Sequence, residues 1–137
     1  MTVSRFIIID DDPINNKLCR YLIAKTSPSG TEILDFISAE NALAYISKTY
    51  VLEKSCPTVL LLDINMPDIN GWEFLSAYET LPEFIHQQID IYLLSSSVDG
   101  RDKDRAKQCR LIRDFIVKPL RVDNIHSIIH NMHSTTT

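Results

Sequence analysis

The alternation of short apolar runs with amphipathic stretches, repeated five times, restricts the fold of this sequence more than any other feature. The predicted strands are Arg5–Ile9, Glu32–Ile37, Thr58–Leu62, Asp90–Leu94 and Phe115–Val117. The helical patterns that follow them start near Pro13, Ser38, Asn70, Asp99 and Val122. Strands that alternate with helices in this way pair in parallel, with helices covering both faces of the sheet. The sequence therefore predicts an α/β fold, a doubly wound five-stranded parallel sheet.

Local signals mark where several of the helices begin. Asp12 is a predicted N-cap, and Pro13 fits the first helical position because its missing N–H would have no partner there. Asn70 stands three residues before Glu73, which is the register of a capping box. In the first helix, the predicted apolar stripe consists of Ile14, Leu18, Tyr21 and Leu22.

Length and charge exclude several classes of protein. With 137 residues, 45% of them hydrophobic, the chain is predicted to form one domain over residues 1–133, with a flexible tail at 134–137. A net charge of −4 gives no attraction to a phosphate backbone, so we expect no direct nucleic-acid partner. The longest apolar runs, Phe6–Ile9 and Val59–Leu62, are too short to span a membrane. Because the first residues lack a signal-peptide layout, we expect a cytoplasmic location.

Two further sets of residues are better explained by structure than by chemistry. The cysteines are odd in number and form no CxxC pair, so we predict reduced thiols at Cys19, Cys56 and Cys109. Three histidines share one face of the last helix, where they would suit a zinc or nickel site or a response to mild acid. We favour a solvated polar face for His126, His130 and His133.

Polar side chains follow four of the five predicted strands. Asp10, Asp11 and Asp12 follow the first strand, and Asp63 follows the third. Ser95 and Lys118 follow the fourth and fifth strands. In open α/β sheets, ligands bind outside the carboxyl ends of the strands, so the fold would bring these side chains to one edge.

The residue types at that edge favour phosphate chemistry with a metal ion. Clustered carboxylates repel one another and resist ionisation unless a cation compensates their charge. Oxygen ligands without histidine or cysteine favour a hard ion, Mg²⁺ or Mn²⁺. A lysine and a hydroxyl supply the counter-charge and the hydrogen bond that a phosphoryl group requires. A carboxylate that attacks phosphorus forms an acyl phosphate.

Four motifs in this order resemble the receiver domains of response regulators in two-component signalling. They are Ile7–Pro13, Leu60–Gly71, Leu93–Ser96 and Phe115–Leu120. The resemblance extends from about Arg5 to His133 and implies the flavodoxin-like strand order 2-1-3-4-5. It also implies phosphorelay signal transduction, in which Asp63 accepts a phosphoryl group from a sensor histidine kinase or phosphotransfer protein. The domain would then control a downstream partner protein, here unidentified.

The resemblance assigns a role to each residue of the acidic edge. Asp63 would be the phospho-acceptor and a metal ligand, and Asp11 would bind Mg²⁺ directly. Asp10 would act on the metal through water, and the main-chain carbonyl of Asn65 would be a further ligand. Asp12 lies just beyond the acidic pair of the family, and we expect it to act as the helix cap.

The remaining roles concern the phosphoryl group and the switch. Lys118 would pair with the phosphoryl oxygens, and a cis peptide bond before Pro119 would direct it inward. Ser95 supplies the hydroxyl for which the family uses Thr or Ser, and the backbone N–H of Ser96 would bind the same group. Phe115 takes the aromatic switch position, and it has no phenol hydroxyl.

Two loop positions set the lifetime of the phosphorylated form in this family, and here they are Asn65 and Ser97. Both are small and polar, so neither blocks an attacking water in an obvious way. The protein would act as a switch. It would not be an enzyme beyond catalysing its own phosphoryl acceptance and slow hydrolysis of the acyl phosphate.

The predicted switch passes from the new charge to the helix at 99–110. Ser95 would move to the phosphoryl oxygens, Phe115 would turn inward, and the helix would repack. Only Ala106 and Cys109 are apolar in that helix, so we expect it to be weakly anchored.

Partners follow from the resemblance alone. Donor docking in this family uses the first helix, which makes Ile14, Asn15 and Leu18 candidate contacts. The chain would be a monomer or a weak homodimer through the last two strand–helix units.

Three alternative functions fit the sequence less well than this interpretation. A haloacid-dehalogenase phosphatase would match Asp10-x-Asp12 but leaves Asp63 and Met66-Pro67 unexplained. A flavodoxin-like FMN carrier conflicts with three aspartates, which would repel the FMN phosphate. The remaining alternative is a receiver-like interaction module that works without phosphorylation, although its acid, serine and lysine set is complete.

Overall fold

A computed structural model describes residues 2–52, 55–66, 69–96 and 100–134, with side chains described through residue 131. The five strands are β1 (Arg5–Ile9), β2 (Glu32–Phe36), β3 (Thr58–Asp63), β4 (Ile89–Ser95) and β5 (Ile112–Val117). The helices are α1 (Pro13–Thr26), α2 (Ala39–Thr49), α3 (Gly71–Glu79), α4 (Glu83–His86), α5 (Gly100–Gln108) and α6 (Val122–Ser134). All strands pair in parallel in the order β2-β1-β3-β4-β5, which confirms the predicted fold.

The sheet is covered on both faces, and each face has its own apolar core. Side chains alternate along a strand, so β3 contributes Leu60 and Leu62 to one core and Val59 and Leu61 to the other. Every residue of β3 is buried. This explains why its sequence is apolar without interruption, as expected for a central strand of a parallel sheet.

The apolar stripe predicted for α1 is wrong. Its buried residues are Asn16, Cys19 and Ile23, whereas Ile14 is 78% exposed and Tyr21 is 63% exposed. Leu18 is also exposed, and only Leu22 packs against the core. Counting apolar residues selected the wrong side because the side facing the sheet carries a polar residue. Asn16 is buried there since its Nδ2 donates to the carbonyl of Asp10 at 2.9 Å.

Strand and helix boundaries differ from the prediction mainly at the sheet edge. β5 begins at Ile112, three residues before the predicted start, because exposed Arg113 and Asp114 and a register shift obscure the alternation. The short helix α4 was not predicted. α6 includes Ser134, one residue of the predicted tail, and the rest of that tail lies outside the described residues.

The predicted caps are confirmed at α1 and α3. Asp12 Oδ1 accepts from the N–H of Ile14 at 2.9 Å. In the capping box of α3, the N–H of Glu73 donates to Asn70 Oδ1 at 2.9 Å, and Glu73 Oε1 accepts from the N–H of Asn70 at 3.3 Å. Together these contacts fix where the two helices start relative to the strands before them.

Gly71, the first residue of α3, lies unusually close to the end of β3. Its N–H donates to the carbonyl of Ile64 at 2.9 Å. A Cβ at this position would lie 2.9 Å from Ile64 Cα and 3.1 Å from the carbonyl oxygen of Asp63. Both neighbours are backbone atoms, so a glycine is required for α3 to begin directly against the strand that carries Asp63.

The three cysteines all lie within the described residues and form no disulfide bond. Burial together with the charge of Asp10 raises the pKa of Cys19 to about 11. That residue therefore stays a neutral thiol. Among the described residues, no helix is long and apolar enough to cross a membrane.

Candidate functional site

The register of the sheet brings the predicted acidic residues to one edge. Ile9 pairs with Leu62, so the residues that follow them, Asp10 and Asp63, leave the sheet side by side. Asp11 joins them from the loop before α1. Single carboxylate oxygens of Asp10, Asp11 and Asp63 all lie within 4.8 Å of one another.

Asp10 is the most buried member of this cluster, at 1% exposure. Its Oδ1 accepts from the N–H of Asp12 at 2.9 Å. Its Oδ2 accepts from two donors, Asn15 Nδ2 at 2.7 Å and Lys118 Nζ at 2.8 Å. A buried carboxylate is stable only with such partners, and here they come from both α1 and the end of β5.

Lys118 is held between the two buried carboxylates. Its Nζ lies 2.8 Å from Asp10 Oδ2 and 3.4 Å from Asp63 Oδ1. Burial alone would lower the pKa of Lys118, but Asp10 and Asp63 outweigh burial and raise it. The side chain therefore remains a cation. Its backbone N–H donates to the carbonyl of Ser95 at 2.8 Å, and the Lys118–Pro119 peptide bond is cis, as the resemblance implies.

Asp63 is 4% exposed, and its environment resists ionisation. Burial and the charge of Asp10 raise the pKa of Asp63 to about 6. Lys118 and the N–H of Asn65, 3.3 Å from Asp63 Oδ1, counteract only part of this rise. The single charge of Lys118 therefore does not neutralise the three carboxylates of Asp10, Asp11 and Asp63.

The donor set fits a hard divalent cation. Three carboxylates converge, and a cation among them would offset the repulsion that raises the pKa of Asp63. Asp11 is exposed, so it can reach a metal ion that approaches from solvent. Asp10 has most of its lone pairs engaged by donors, which suits an indirect role better than direct ligation.

The other predicted residues lie around this cluster. Ser95 is fully buried at the end of β4, and Ser96 is exposed beside it. Phe115 is half-buried and packs against the core beneath α5. A cavity of about 220 Å³ beside Phe115 is lined by residues of α5 and β5 that include Lys103 and Ala106.

Some predictions fall partly outside the described part of the chain. Ser97 lies outside the described residues. His126 and His130 are exposed on α6, in keeping with a solvated face, but the side chain of His133 is outside the description.

Sequence reasoning missed the contacts of two residues at the site and in its surroundings. Asn15 was considered only as a docking residue, yet its amide binds Asp10. Trp72 was not considered, yet its Nε1 donates to Asp102 Oδ1 at 3.3 Å and its ring lies 4.2 Å below the guanidinium of Arg105. The position of Asn15 in the first turn after the acidic run was the available signal for its role. No local signal pairs Trp72 with α5.

Comparison with known proteins decides the family. The pattern described as the response regulator receiver domain matches residues 6–130. The chain belongs to this family. Such receiver domains are the phosphorelay modules of two-component response regulators.

Solved receiver structures share both the fold and part of the sequence of this receiver domain. One is a response regulator receiver protein from Dyadobacter fermentans, with 29% identity, a TM-score of 0.83, and coverage of 94% of this chain and 97% of that one. Another is a two-component response regulator from Cytophaga hutchinsonii, with 26% identity, a TM-score of 0.86, and coverage of 98% and 99%.

Among curated proteins, the receiver domain is similar to the two-component response regulator ORR1 of Oryza sativa subsp. japonica. The two are 24% identical over 127 residues, which is 92% of this chain and 54% of the regulator. The chain therefore spans about half of the length of that relative.

Proposed function

We propose that this receiver domain accepts a phosphoryl group on Asp63 from a sensor histidine kinase or phosphotransfer protein, and that it then controls a partner protein. The observation that carries the proposal is the position of the Asp63 carboxylate. It lies within the acidic cluster, and its Oδ1 is 3.4 Å from the ammonium of Lys118. A nucleophile, a cation site and a counter-charge for phosphoryl oxygens thus share one edge of the sheet.

The proposed transfer is a direct displacement at phosphorus. One Asp63 carboxylate oxygen forms a bond to phosphorus, while the bond from phosphorus to the imidazole nitrogen of the donor breaks and that nitrogen keeps the electron pair. Lys118 provides positive charge to the phosphoryl oxygens, and Ser95 and the N–H of Ser96 provide hydrogen bonds. Asp11, Asp63 and the main-chain carbonyl of Asn65 would hold Mg²⁺ or Mn²⁺ directly, and Asp10 would act on the ion through water. The ion would supply positive charge that neutralises the phosphoryl oxygens.

The switch is proposed to pass through Ser95 and Phe115 to α5. Two observations support this route. The cavity of about 220 Å³ beside Phe115 gives the ring and α5 room to repack. Ala106 is the one buried residue of α5, so few apolar contacts oppose a shift of that helix.

The same proposal covers the activity and the partners. The domain would catalyse only its own phosphorylation and slow acyl-phosphate hydrolysis, for which Asn65 and Ser97 set the lifetime. The exposed side chains of Ile14 and Leu18 support donor docking on α1. A monomer or weak homodimer, a cytoplasmic location and the lack of a nucleic-acid partner stay predictions.

The test is the intact mass of the protein after incubation with acetyl phosphate and Mg²⁺. We expect a gain of one phosphoryl group in wild type and in Asp123→Asn, an exposed control on α6, and no gain in Asp63→Asn or with a chelator. If wild type gains no mass with any divalent metal, the phosphate-independent interaction module becomes the better explanation. A gain that persists in Asp63→Asn would mean that another carboxylate is the acceptor.

A further inference from the structure

One oxygen of Asp10 receives two donors, and only one of them is the lysine. Asp10 Oδ2 accepts from Lys118 Nζ at 2.8 Å and from Asn15 Nδ2 at 2.7 Å. Asn15 is the third residue of α1 and is half-buried. Its Nδ2 also lies 3.7 Å from Cys19 Sγ, so the amide group has an acceptor on each side. The amide is therefore held in place against Asp10.

This arrangement matters because Lys118 interacts with two different groups. In the unphosphorylated protein it neutralises Asp10, and under the proposed function it must also pair with the phosphoryl oxygens on Asp63. Asp10 is 1% exposed, so water cannot readily replace an ammonium that moves away. A buried carboxylate oxygen left without any donor would carry a desolvation penalty that opposes the movement of Lys118.

We propose that Asn15 is a positioning residue for phosphorylation, which keeps Asp10 Oδ2 hydrogen-bonded while Lys118 transfers to the phosphoryl group. This inference rests on the proposed function. Asp10 Oδ1 keeps its bond from the N–H of Asp12, so with Asn15 in place each oxygen of Asp10 retains one donor. Asn15 thereby makes the lysine available without touching the reacting atoms.

The neighbouring residue Asn16 is also an asparagine, but it has a different partner and a different role. Asn16 is also 1% exposed, but its Nδ2 donates to the main-chain carbonyl of Asp10. It fixes the turn between β1 and α1 and does not bind the carboxylate. Loss of Asn16 should therefore affect folding, whereas loss of Asn15 should affect the phosphorylation rate.

The test compares four variants with wild type, using acetyl phosphate so that docking of a protein donor on α1 plays no part. Asn15→Ala and Asn15→Leu remove the donor, and Asn15→Gln keeps an amide on a longer side chain. Asn41→Ala is the matched control, since Asn41 is also the third residue of its helix but is exposed on α2. The measurements are the phosphorylation rate at saturating Mg²⁺, Mn²⁺ affinity by electron paramagnetic resonance, and stability in urea.

We expect Asn15→Ala and Asn15→Leu to lower the phosphorylation rate at saturating Mg²⁺ by about threefold to tenfold, which is the effect expected from the loss of one hydrogen bond. Asn15→Gln should recover part of the rate, and Asn41→Ala should match wild type. Mn²⁺ affinity should be unchanged in every variant, because Asn15 binds Asp10, which in the proposed site acts on the metal only through water, and not the direct ligands Asp11 and Asp63.

Each other outcome contradicts the inference in a distinguishable way. Wild-type rates in Asn15→Ala and Asn15→Leu would overturn the role of Asn15 and leave the proposed function intact. A rate loss accompanied by an equal loss of Mn²⁺ affinity would show that Asn15 only shapes the acidic pocket. If wild type itself takes no phosphoryl group, the proposed function and this inference both fall.

Discussion

At the scale of single residues, the site is dominated by charge that the protein does not fully compensate. Asp63 is buried beside Asp10, and its pKa is raised to about 6. Under the proposed function the carboxylate of Asp63 must be ionised, and this environment would oppose ionisation until a cation binds. Metal binding and readiness for phosphoryl transfer would then be coupled at this one residue.

The first prediction concerns the pH dependence of stability without metal. Because the folded-state pKa of Asp63 is raised from 3.8 to about 6, its favourable contribution is fully present below pH 3.8 and is lost as pH rises through 6. Asp63→Asn should therefore be more stable than wild type by about 3 kcal/mol at pH 7.5, with most of the difference lost near pH 4. Urea denaturation of both proteins across this range measures it.

Asp104→Asn is the control for that experiment, since Asp104 is an exposed aspartate on α5. It should match wild type at every pH. A difference between Asp63→Asn and wild type that does not vary between pH 4 and 6 would show that the carboxyl of Asp63 is not the titrating group.

At the scale of helices and strands, the sequence was informative where one physical requirement dominated. The uninterrupted apolar run of β3 predicted a strand buried on both faces, and the caps at Asp12 and Asn70 predicted helix starts. α1 was misjudged because its buried side includes Asn16, whose partner is a main-chain carbonyl. The predicted β5 was too short because the strand is a half-exposed edge strand with a register shift.

α5 illustrates what sequence patterns cannot supply. The expected weak anchoring is seen in its single buried residue, Ala106. The compensating contacts come from Trp72 on α3, which binds Asp102 and stacks with Arg105. Trp72 and Asp102 are 30 residues apart in the sequence, so only the packing of α3 against α5 brings them together.

The second prediction tests whether Trp72 holds α5. Trp72→Phe removes the N–H donor to Asp102 and weakens the stacking with Arg105, so the amides of Gly100–Gln108 should exchange about fivefold faster. Hydrogen exchange followed by mass spectrometry gives the rates. Asp104→Asn, on the same helix, should leave them unchanged. Equal exchange in Trp72→Phe and wild type would mean that α5 is held by other contacts.

At the scale of the whole molecule, the sheet topology assembles a site from residues at both ends of the chain. Lys118 and Asp10, which are 108 residues apart, are in direct contact. The motifs predicted which residues meet, because the carboxyl ends of parallel strands share one edge. They could not predict that Lys118 and Asn15 share one oxygen of Asp10, which depends on side-chain packing.

The third prediction concerns the stability of the whole domain in the presence of metal. A ligand that binds only the folded state stabilises it, so Mg²⁺ should raise the free energy of unfolding by about 1 kcal/mol at about five times its Kd. Asp11→Asn should lose most of this gain, because an exposed carboxylate of the cluster is removed without disturbing the core. Denaturation curves at several Mg²⁺ concentrations provide the measurement.

Asp12→Asn is the matched control, because asparagine is also a good N-cap and Asp12 is not part of the cluster. It should respond to Mg²⁺ as wild type does. An equal response in Asp11→Asn would place the cation elsewhere.

The chain has one tryptophan, and that residue lies at the joint between α3 and α5. Its emission is therefore a natural optical probe of a single contact between two helices, and no dye or engineered label is needed. Since α5 has few other anchors, unfolding followed by tryptophan emission reports the release of this helix, whereas far-ultraviolet circular dichroism reports the loss of all helices and strands. The difference between the midpoints of these two unfolding transitions measures how independently α5 is released from the rest of the domain.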